Sequence, residues 1–425
     1  MEIVKQKRRA RAKMGHVFVF LLFFDCFFCG TGVSYYVWYI FYHAGGKRPN
    51  PTERSARQSV NNGKDGYNNM ERTYNFSPGP SMLPLPVLEK VKEQLPLYME
   101  TGMSVMEMSH RSKMYEAIID KAEADLRELM HIPENYSVLF LHGGATLQFA
   151  AVPLNLMATG KADYIDSGSF AAGAAKEGKK YGDARVIASS KADNYTYVPD
   201  FAGKMNDDAD YLHITANNTI YGTRFIELPK GKAPLVADMS SCILGQPYDM
   251  NDFGVMYAGA QKNIGPSGFA VVIVRKDMLG HALPQCPKVM DWTIETENKS
   301  MINTPNTFGI YVAGLCFEWL KKQGGVEGIY EVNKQKAVLL YDFLDNSKLF
   351  KATAQKKYRS LMNVTFVTGD ADKDAAFVSY AAGKGLVNLK GHRSVGGMRA
   401  SIYNAMPLDG VKALVECLKA FELGK

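Results

Sequence analysis

The amino-acid sequence predicts an α/β fold, in which a large domain holds a mainly parallel, seven-stranded sheet and a smaller α+β domain follows at the C-terminus. From Tyr74 onward, short apolar runs alternate with helical stretches, which is typical of a parallel sheet covered by helices. The chain has 425 residues, of which 46% are hydrophobic and 22% charged. It is therefore long and apolar enough to bury a full core in two domains.

Seven runs predict the strands of the large domain, and the last five are apolar on both faces, as in the central strands of a covered sheet. The runs are YSVLFLHGG from residue 136, ADYIDSG from residue 162, RVIAS at 185–189, DYLHITAN at 210–217, APLVADMSS at 233–241, GVMYAGAQK at 254–262 and GFAVVIVRK at 268–276. An amphipathic stretch at 310–325 then predicts a long helix that ends at paired glycines. Strands such as MNVTFVTG at 362–369, beside further helices, predict the smaller domain.

The N-terminal extension, residues 1–72, differs in composition from the rest of the chain. Basic residues crowd the first thirteen positions, and residues 16–42 are apolar and aromatic with one charge, Asp25. That run is long enough to span a bilayer, and over 17–29 it also resembles a signal peptide. Membrane contact or targeting through 16–42, and an untranslated leader joined to a cytosolic protein, both remain open. The polar stretch from Gly45 to Arg72 predicts a disordered linker.

Charge and cysteine content exclude several functional classes. The net charge of +7 is partly local to the N-terminus, and no basic stripe interleaved with aromatics predicts nucleic-acid binding. The six cysteines are scattered, which argues against a disulfide framework and favours a reducing compartment. The eight histidines show no metal-ligand spacing, so no metal is expected.

Lys262 is the first candidate catalytic residue. It follows a short apolar strand and precedes a glycine-rich turn and a second apolar strand, in GVMYAGAQKNIGPSGFAVVIV. A lysine held near buried strands is costly unless it is neutral, paired or covalently used, and a Schiff base with an aldehyde cofactor is one such use. A surface lysine that caps a strand is the alternative on this segment alone.

Two further segments suit a pyridoxal cofactor. Asp238 ends an apolar strand, where a carboxylate can pair with a pyridine nitrogen, although a strand-end Asp is more often a helix cap. In VLFLHGGATLQFAAVPLNL a strand runs through glycines into a helix, so free backbone N–H groups can hold a phosphate. The alternative is an ordinary strand-to-helix turn.

Several motifs together resemble the phosphoserine aminotransferases, a family of class-V aminotransferases that depend on pyridoxal 5′-phosphate. They occur in the family's order over about 350 residues: EMSHRS at 107–112, HGG and QFAAVPLNL within 142–156, DMSS at 238–241, AGAQKN at 258–263, NTP at 303–305 and GHRSVGGMRASIYNA at 391–405. The resemblance implies the type I fold of these transferases. It also implies an arm at 73–84 that joins the small domain, a large cofactor-binding domain at 85–322 and a small domain at 323–425.

The resemblance also implies which residues bind the cofactor. Lys262 would carry it covalently and then move a proton, and Asp238 would pair with the pyridine nitrogen. Thr219 would bond the phenolic oxygen. The phosphate would be held by Ala145, Thr146 and Gln261, and by Asn303 and Thr304 of the neighbouring subunit, so that a homodimer completes the site.

The implied substrates are L-glutamate and 3-phosphohydroxypyruvate, which give 2-oxoglutarate and phosphoserine in serine synthesis. Arg399 would clamp the α-carboxylate with both ends of its guanidinium. A second anionic pocket would be formed by two His-Arg pairs, one of them from the other subunit: His110 with Arg111, and His392 with Arg393.

Two departures from the family pattern are visible. Phe170 stands where the family commonly stacks a tryptophan on the cofactor ring, and phenylalanine offers less ring area. The stretch after HGG is ATLQ, where many members carry another glycine, and this change leaves the backbone donors of Ala145 and Thr146 available. Neither departure removes a proton-transfer group.

Other interpretations remain at this stage. One is a different class-V enzyme, either a cysteine desulfurase, which needs a loop cysteine, or an alanine-type aminotransferase, which does not need two His-Arg pairs. Another is a non-catalytic, membrane-tethered relic. Six N-glycosylation sequons occur after the extension, and one begins at Asn217, two residues from Thr219. A glycan there would obstruct the site, so we expect the catalytic part to face the cytosol.

Overall fold

The computed structural model describes residues 72–425. The predictions about the N-terminal extension, including the hydrophobic segment at 16–42, fall on residues outside this range. Within the described range, no helix combines the length and the apolar character needed to cross a membrane.

The helices and strands alternate along most of the described chain. The strands are β1 Tyr74–Asn75, β2 Tyr136–His142, β3 Lys161–Asp166, β4 Asp183–Ser189, β5 Leu212–Thr215, β6 Asn217–Asn218, β7 Thr223–Arg224, β8 Leu235–Asp238, β9 Val255–Gly259, β10 Phe269–Arg275, β11 Lys351–Ala352, β12 Asn363–Val367, β13 Leu386–Val387 and β14 Met398–Ser401. The helices are α1 Leu85–Gln94, α2 Lys113–Met130, α3 Ala145–Leu156, α4 Ser169–Gly178, α5 Trp292–Glu297, α6 Thr307–Lys322, α7 Gly325–Asn346, α8 Ala371–Ala382 and α9 Leu408–Glu422.

The central sheet has seven strands in the order β2-β10-β9-β8-β5-β3-β4. Neighbouring strands are parallel from β9 through β8, β5 and β3 to β4, whereas β10 is antiparallel to both β9 and β2. The predicted mainly parallel seven-stranded sheet is therefore confirmed. Because the carboxyl ends of parallel strands meet at one edge, the residues that follow β5, β8 and β9 come close together.

One strand departs from the prediction. The run at 185–189 was expected to be covered on both faces, but β4 lies at the edge of the sheet and only two of its seven residues are buried. Ala184 and Ala188 are buried, whereas Val186 is 45% exposed. The prediction was wrong because a short apolar run does not distinguish a covered central strand from an edge strand.

Both faces of the central sheet are covered by helices. On one face, side chains of α2 and α6 such as Leu126 and Phe317 pack in one hydrophobic cluster with the sheet. On the other, side chains of α3 and α4 such as Val152 and Ala174 do the same. Burying each large apolar side chain contributes about 1.5–3 kcal/mol, and this two-sided burial explains why the central strands are apolar throughout.

A third hydrophobic cluster joins the arm to the C-terminal part of the chain. It contains Phe76 of the arm together with Leu340, Phe350 and Leu418, and β1 pairs in parallel with β13. The predicted long helix is observed as α6, which ends at Lys322 before Gly324 and Gly325, both with positive φ. We keep the domain boundary after residue 322 as a proposal, since α7 contributes side chains to two of the clusters.

Candidate active site

A cavity of about 290 Å³ lies at the carboxyl edge of the central sheet. It is enclosed by the residues that follow β2, β8 and β9 and by the first turns of α3 and α4. Its walls include Gly143, Gly144, Ala145, Thr146, Phe149, Phe170, Asp238, Ser240, Gly259, Ala260, Gln261, Lys262, Ser267, Gly268 and Phe269. Lys262, Asp238, Ala145, Thr146, Phe170 and Gln261 were all predicted as site residues, and the structure places them around this one cavity.

The N-terminus of α3 forms one wall. Gly144 precedes the helix and provides no side-chain cap, so the backbone N–H groups of Ala145 and Thr146 remain available at the positive end of the helix dipole. A β-carbon on Gly259 of the neighbouring strand would lie 3.3 Å from the Ala145 nitrogen. The glycine therefore leaves space in front of these donors, which is the arrangement that binds phosphate.

Asp238 is the last residue of β8 and is 5% exposed. Its Oδ1 accepts hydrogen bonds from the Ser240 backbone nitrogen at 2.9 Å and from Ser240 Oγ at 2.6 Å. Among the described residues, its other carboxylate oxygen accepts none and remains free for a ligand in the cavity. Burial raises the pKa of Asp238, while the Ser240 bonds and the positive charge of Lys262 lower it.

Lys262 lies in the turn after β9 and is only partly buried, because its side chain borders the cavity. Its Nζ donates to Thr219 Oγ1 at 3.0 Å. Loss of hydration lowers the pKa of Lys262 to about 8, although the negative charge of Asp238 favours the protonated form. Ser81 of the arm donates to the Lys262 carbonyl at 2.7 Å and so fixes the turn that carries the lysine.

Phe170 lies in the first turn of α4, opposite Lys262. The Lys262 Nζ is 5.8 Å from the centroid of the phenyl ring. The ring is 38% exposed and lines the cavity, as expected of a side chain that packs against a flat ligand.

Arg399, in β14, is 6% exposed and approaches the same threonine from the other side. Its Nη1 donates to the Thr219 carbonyl at 3.3 Å. Its Nε is buried and has no hydrogen-bond partner among the described residues. Burial lowers the pKa of Arg399. A buried guanidinium with an unused donor is costly, and a carboxylate ligand would relieve that cost.

His392 and Arg393 lie in the loop before β14. His392 Nδ1 pairs with Ser394 Oγ at 2.7 Å, and the Arg393 side chain is exposed. Burial lowers the pKa of His392, and the positive charges of Arg399 and Arg393 lower it further. The lowered pKa leaves His392 mainly neutral near neutral pH, so the guanidinium groups of Arg393 and Arg399 carry the positive charge that can attract an anionic ligand here.

The remaining predicted residues do not line the cavity of their own chain. Thr304 Oγ1 pairs with His110 Nδ1 at 3.1 Å, and the Thr304 carbonyl pairs with His142 Nε2 at 2.8 Å. Asn303, Thr304 and Arg111 are exposed, whereas His110 Nε2 is buried without a partner among the described residues. Thr304 thus lies against His142, the neighbour of the cavity residue Gly143, but within the described part of the chain no hydrogen bond joins these four residues to Lys262.

Sequence reasoning assigned no role to two residues that hold the site together. Ser240 bridges Asp238 and the next strand, because its Oγ also accepts from the Gly259 nitrogen at 3.0 Å. The Asp-x-Ser pattern is typical of a turn in which the aspartate carboxylate accepts a hydrogen bond from the residue two positions later. This pattern could have revealed the role of Ser240. Ser81 is 181 positions from Lys262, and no local pattern reveals such a contact.

Comparison with known proteins identifies the relatives of this chain. The family model described as Aminotransferase class-V matches residues 73–414. A phosphoserine aminotransferase of Bacillus cereus is 54% identical over 357 residues, which cover 83% of this chain and 99% of the relative. The structure of the phosphoserine aminotransferase from Bacillus circulans subsp. alkalophilus matches with a TM-score of 0.82 at 45% identity, covering 84% of this chain and 99% of the other. The pyridoxal-phosphate-bound phosphoserine aminotransferase from Trichomonas vaginalis matches with a TM-score of 0.80 at 40% identity, covering 82% and 100%.

Proposed function

The chain belongs to the class-V aminotransferases and, within them, to the phosphoserine aminotransferases, and we propose that the residues around Lys262 carry out the reaction of that family. The enzyme is a pyridoxal-phosphate-dependent transaminase. It transfers an amino group from L-glutamate to 3-phosphohydroxypyruvate and gives 2-oxoglutarate and O-phospho-L-serine, in L-serine biosynthesis.

The residues in and beside the cavity suit each part of pyridoxal 5′-phosphate: its phosphate, its ring nitrogen, its ring face and its phenolic oxygen. The free N–H groups of Ala145 and Thr146, with Gln261, would hold the phosphate, and the free oxygen of Asp238 would accept a hydrogen bond from the ring nitrogen. Phe170 would pack against the ring and Thr219 would bond its phenolic oxygen. When bound, the cofactor supplies an electron sink for the electron pair released as a proton leaves the substrate α-carbon.

Lys262 would move that proton. Its lowered pKa, about 8, leaves an appreciable neutral fraction near neutral pH, as a general base requires. The single observation that carries the proposal is that Lys262 Nζ and Arg399 Nη1 both bind Thr219, one at its hydroxyl and the other at its carbonyl. The proton-transfer group and the carboxylate-binding group are thereby held at the two sides of one residue, as a small α-amino acid requires.

The experiment that tests the proposal compares 3-phosphohydroxypyruvate with glyoxylate as amino acceptors, using glutamate as donor. The wild-type enzyme should strongly prefer the phosphorylated acceptor, because Arg393, beside His392, provides positive charge for the phosphate, whereas Arg399 would bind the α-carboxylate that both acceptors carry. Arg399→Ala should lower kcat/KM by at least about a hundredfold, since a charged hydrogen bond in a buried site contributes about 3 kcal/mol or more.

Arg399→Lys serves as the matched control, because it keeps the charge but cannot form the paired hydrogen bonds of a guanidinium. It should recover only part of the loss. An equal preference for glyoxylate would favour an alanine-type enzyme, and near-normal kcat/KM in Arg399→Ala would contradict the assigned role of this residue.

We also infer that the enzyme works as a homodimer with shared sites. His110 and Arg111 would then reach the partner's cavity together with Asn303 and Thr304, because His110 and Thr304 pair with each other and neither lines the cavity of its own chain. Exposed apolar side chains lie in the same stretch of chain and suit an interface: Leu95, Leu97, Met99, Met106 and Met114.

Mixed dimers test this arrangement directly. Lys262→Ala and Arg111→Ala subunits, each inactive alone, should regain activity when they are refolded or expressed together. Random pairing leaves one intact site in about half of the dimers, so up to about one quarter of wild-type activity should return. If Arg111 serves its own chain's cavity, no activity will return.

A cytosolic location of the catalytic part is supported by two of the sequons. Asn217 and Asn363 are 2% and 0% exposed, and their side-chain amides hydrogen-bond each other at 2.8 Å. A glycan on either amide is incompatible with this fold. Mass spectrometry of the native protein tests the proposal, and detection of a glycan on Asn217 would overturn it.

A further inference from the structure

A row of buried polar side chains runs between the central sheet and the three-stranded sheet β11-β12-β14. We call it the polar seam. None of its members lines the cavity, and each is less than 9% exposed. They are Asn217, Ser241, Ser360, Asn363, Ser401 and Tyr403.

The two amides at the centre of the seam use both their hydrogens and their carbonyl oxygens. Asn217 Nδ2 donates to Asn363 Oδ1 and to Ser241 Oγ, both at 2.8 Å, and its Oδ1 accepts from Ser360 Oγ at 2.6 Å. Asn363 Nδ2 donates to Ser401 Oγ at 3.0 Å and to Tyr403 Oη at 3.1 Å. A buried amide is costly when one of its donors or acceptors has no hydrogen-bond partner. This network therefore has one preferred geometry.

The seam connects the segments that carry the site. Asn217 precedes Thr219 by two residues, so the amide and the partner of Lys262 share one turn. On the other side, Asn363 pairs across the sheet with Ser401, and Thr365 pairs with Arg399, so these four residues occupy one face of β12 and β14.

A glycine allows the two sides to meet. Gly222 ends the turn that carries Thr219 and has a φ of +71°. A β-carbon there would lie 2.5 Å from Thr365 Oγ1 and 2.9 Å from the Asn363 carbonyl oxygen. The Thr219 turn is therefore pressed directly against β12, where the Tyr221 carbonyl also accepts from Thr365 Oγ1 at 3.0 Å and the Gly222 carbonyl accepts from the Ser360 nitrogen at 2.8 Å.

We propose that the Asn217–Asn363 amide pair is a positioning device that sets the distance between the lysine side of the site and the carboxylate-binding Arg399. This inference rests on the proposed function, in which Arg399 binds the substrate α-carboxylate. An apolar contact would hold the two sheets together equally well but would permit sliding, whereas the amide pair is directional. A displacement of about 1 Å between reacting groups can cost about a hundredfold in rate.

Two substrates that differ only in the α-carboxylate distinguish positioning from general stability. L-Glutamate engages Arg399, whereas 4-aminobutyrate has the same chain without the α-carboxylate. The half-reaction of the holoenzyme with each amine is followed by the visible absorbance of the bound cofactor. Asn363→Ala should lower kcat/KM for glutamate about tenfold or more and leave that for 4-aminobutyrate within about twofold.

Coupling between the two amides gives a second readout. Because Asn217 and Asn363 act as one pair, the double alanine variant should be no more than about twofold worse toward glutamate than the more damaged single variant. Tyr403→Phe keeps the ring and removes the hydroxyl, which accepts from Asn363 and donates to the Pro78 carbonyl. This variant should lower the ratio of kcat/KM for glutamate to kcat/KM for 4-aminobutyrate by a smaller factor than Asn363→Ala does. It also provides the test if Asn363→Ala does not fold.

Asn155→Ala is the matched control. Asn155 is also a buried amide, 4% exposed, with hydrogen bonds to Ala151, Met290 and Trp292, none of which belongs to the seam. Asn155→Ala should leave the ratio of the kcat/KM values for glutamate and 4-aminobutyrate unchanged. Equal losses for glutamate and 4-aminobutyrate in the seam variants, or no loss for glutamate, would overturn the inference. Failure of the wild-type enzyme to use glutamate at all would instead refute the proposed function.

Discussion

Two lysines, Lys262 and Lys336, lie in contrasting environments. Lys336, in α7, is 0% exposed, and its Nζ donates to three backbone carbonyls, those of Ile402, Tyr403 and Met406, at 2.8–3.0 Å. Lys262 borders a cavity, and its Nζ donates to one hydroxyl, that of Thr219. An ammonium group has three donors, so Lys336 uses all of them and Lys262 leaves two unused.

Burial lowers the pKa of both lysines, to about 7 for Lys336 and about 8 for Lys262. The lysine with the lower pKa is therefore the one that no substrate can reach. A perturbed pKa alone does not identify a reactive amine. The adjoining cavity and the two unused donors distinguish Lys262, whereas Lys336 closes the turn that follows β14 and serves the fold.

Replacing Lys262 should have the largest effect on chemistry. Lys262→Met removes the group that carries the cofactor and transfers the proton, so transamination should fall by at least about a thousandfold. The fold should persist, because the variant gives up one hydrogen bond and gains an apolar side chain beside a cavity. Activity assays and circular dichroism check the two halves of this prediction, and turnover near the wild-type rate would refute the role of the lysine.

The same substitution at Lys336 should act on stability instead. Lys336→Met leaves three buried carbonyls without that donor, which should lower the free energy of unfolding by about 2–3 kcal/mol. Urea unfolding of the cofactor-free proteins measures this without stabilisation by bound ligand. The folded fraction should still catalyse transamination within about tenfold of the wild-type rate.

The stability difference should also depend on pH. The pKa of Lys336 falls from 10.5 in the unfolded chain to about 7 in the folded one, so between these values the unfolded state binds more protons. The free energy of unfolding of the wild type should therefore rise with pH across this window. Because Lys336→Met lacks this contribution, the gap between the two proteins should widen from pH 7 to pH 10. A gap that narrows would contradict the lowered pKa.

The role of Lys262 was predictable from the sequence, whereas the role of Lys336 was not. Lys262 lies in a local pattern of strand, turn and strand, and the family motifs surround it, so local reading was sufficient. Lys336 lies in a helix whose sequence, VEGIYEVNKQKAVLL, carries many charges and resembles a solvated face. Its carbonyl partners lie 66–70 residues away, and nothing local indicates them.

The same limit applies to the fold and the seam. The central strands were predictable because burial on both faces requires continuous apolar runs, but the edge position of β4 was not, since order in the sheet is a long-range property. Asn217 and Asn363 looked like glycosylation sequons, and only their pairing across 146 positions shows them to be buried.

Chemical labelling should separate the lysines by access. In the cofactor-free enzyme, a small amine-specific reagent should modify Lys262 with a midpoint near pH 8, so its labelling rate falls about tenfold per pH unit below that value. Lys336 should remain unmodified in the folded protein at every pH, despite its lower pKa, because it is 0% exposed. Peptide mass spectrometry reads both sites at once. Labelling of Lys336 as fast as that of Lys262 would show that burial does not protect it.

Phe170 offers the smallest and most specific test of the Lys262 region. Its ring lines the cavity at 5.8 Å from Lys262 Nζ, at the position where the family resemblance implies a tryptophan. Phe170→Trp should tighten cofactor binding by about 0.5–1 kcal/mol through the larger stacking area, and should change kcat by no more than about twofold, since no proton-transfer group is altered. Titration of the cofactor-free enzyme measures the dissociation constant, with Phe170→Leu as a control that keeps the volume and loses the ring. Weaker binding in the tryptophan variant would mean that the phenylalanine packs beside the cofactor ring and not against its face.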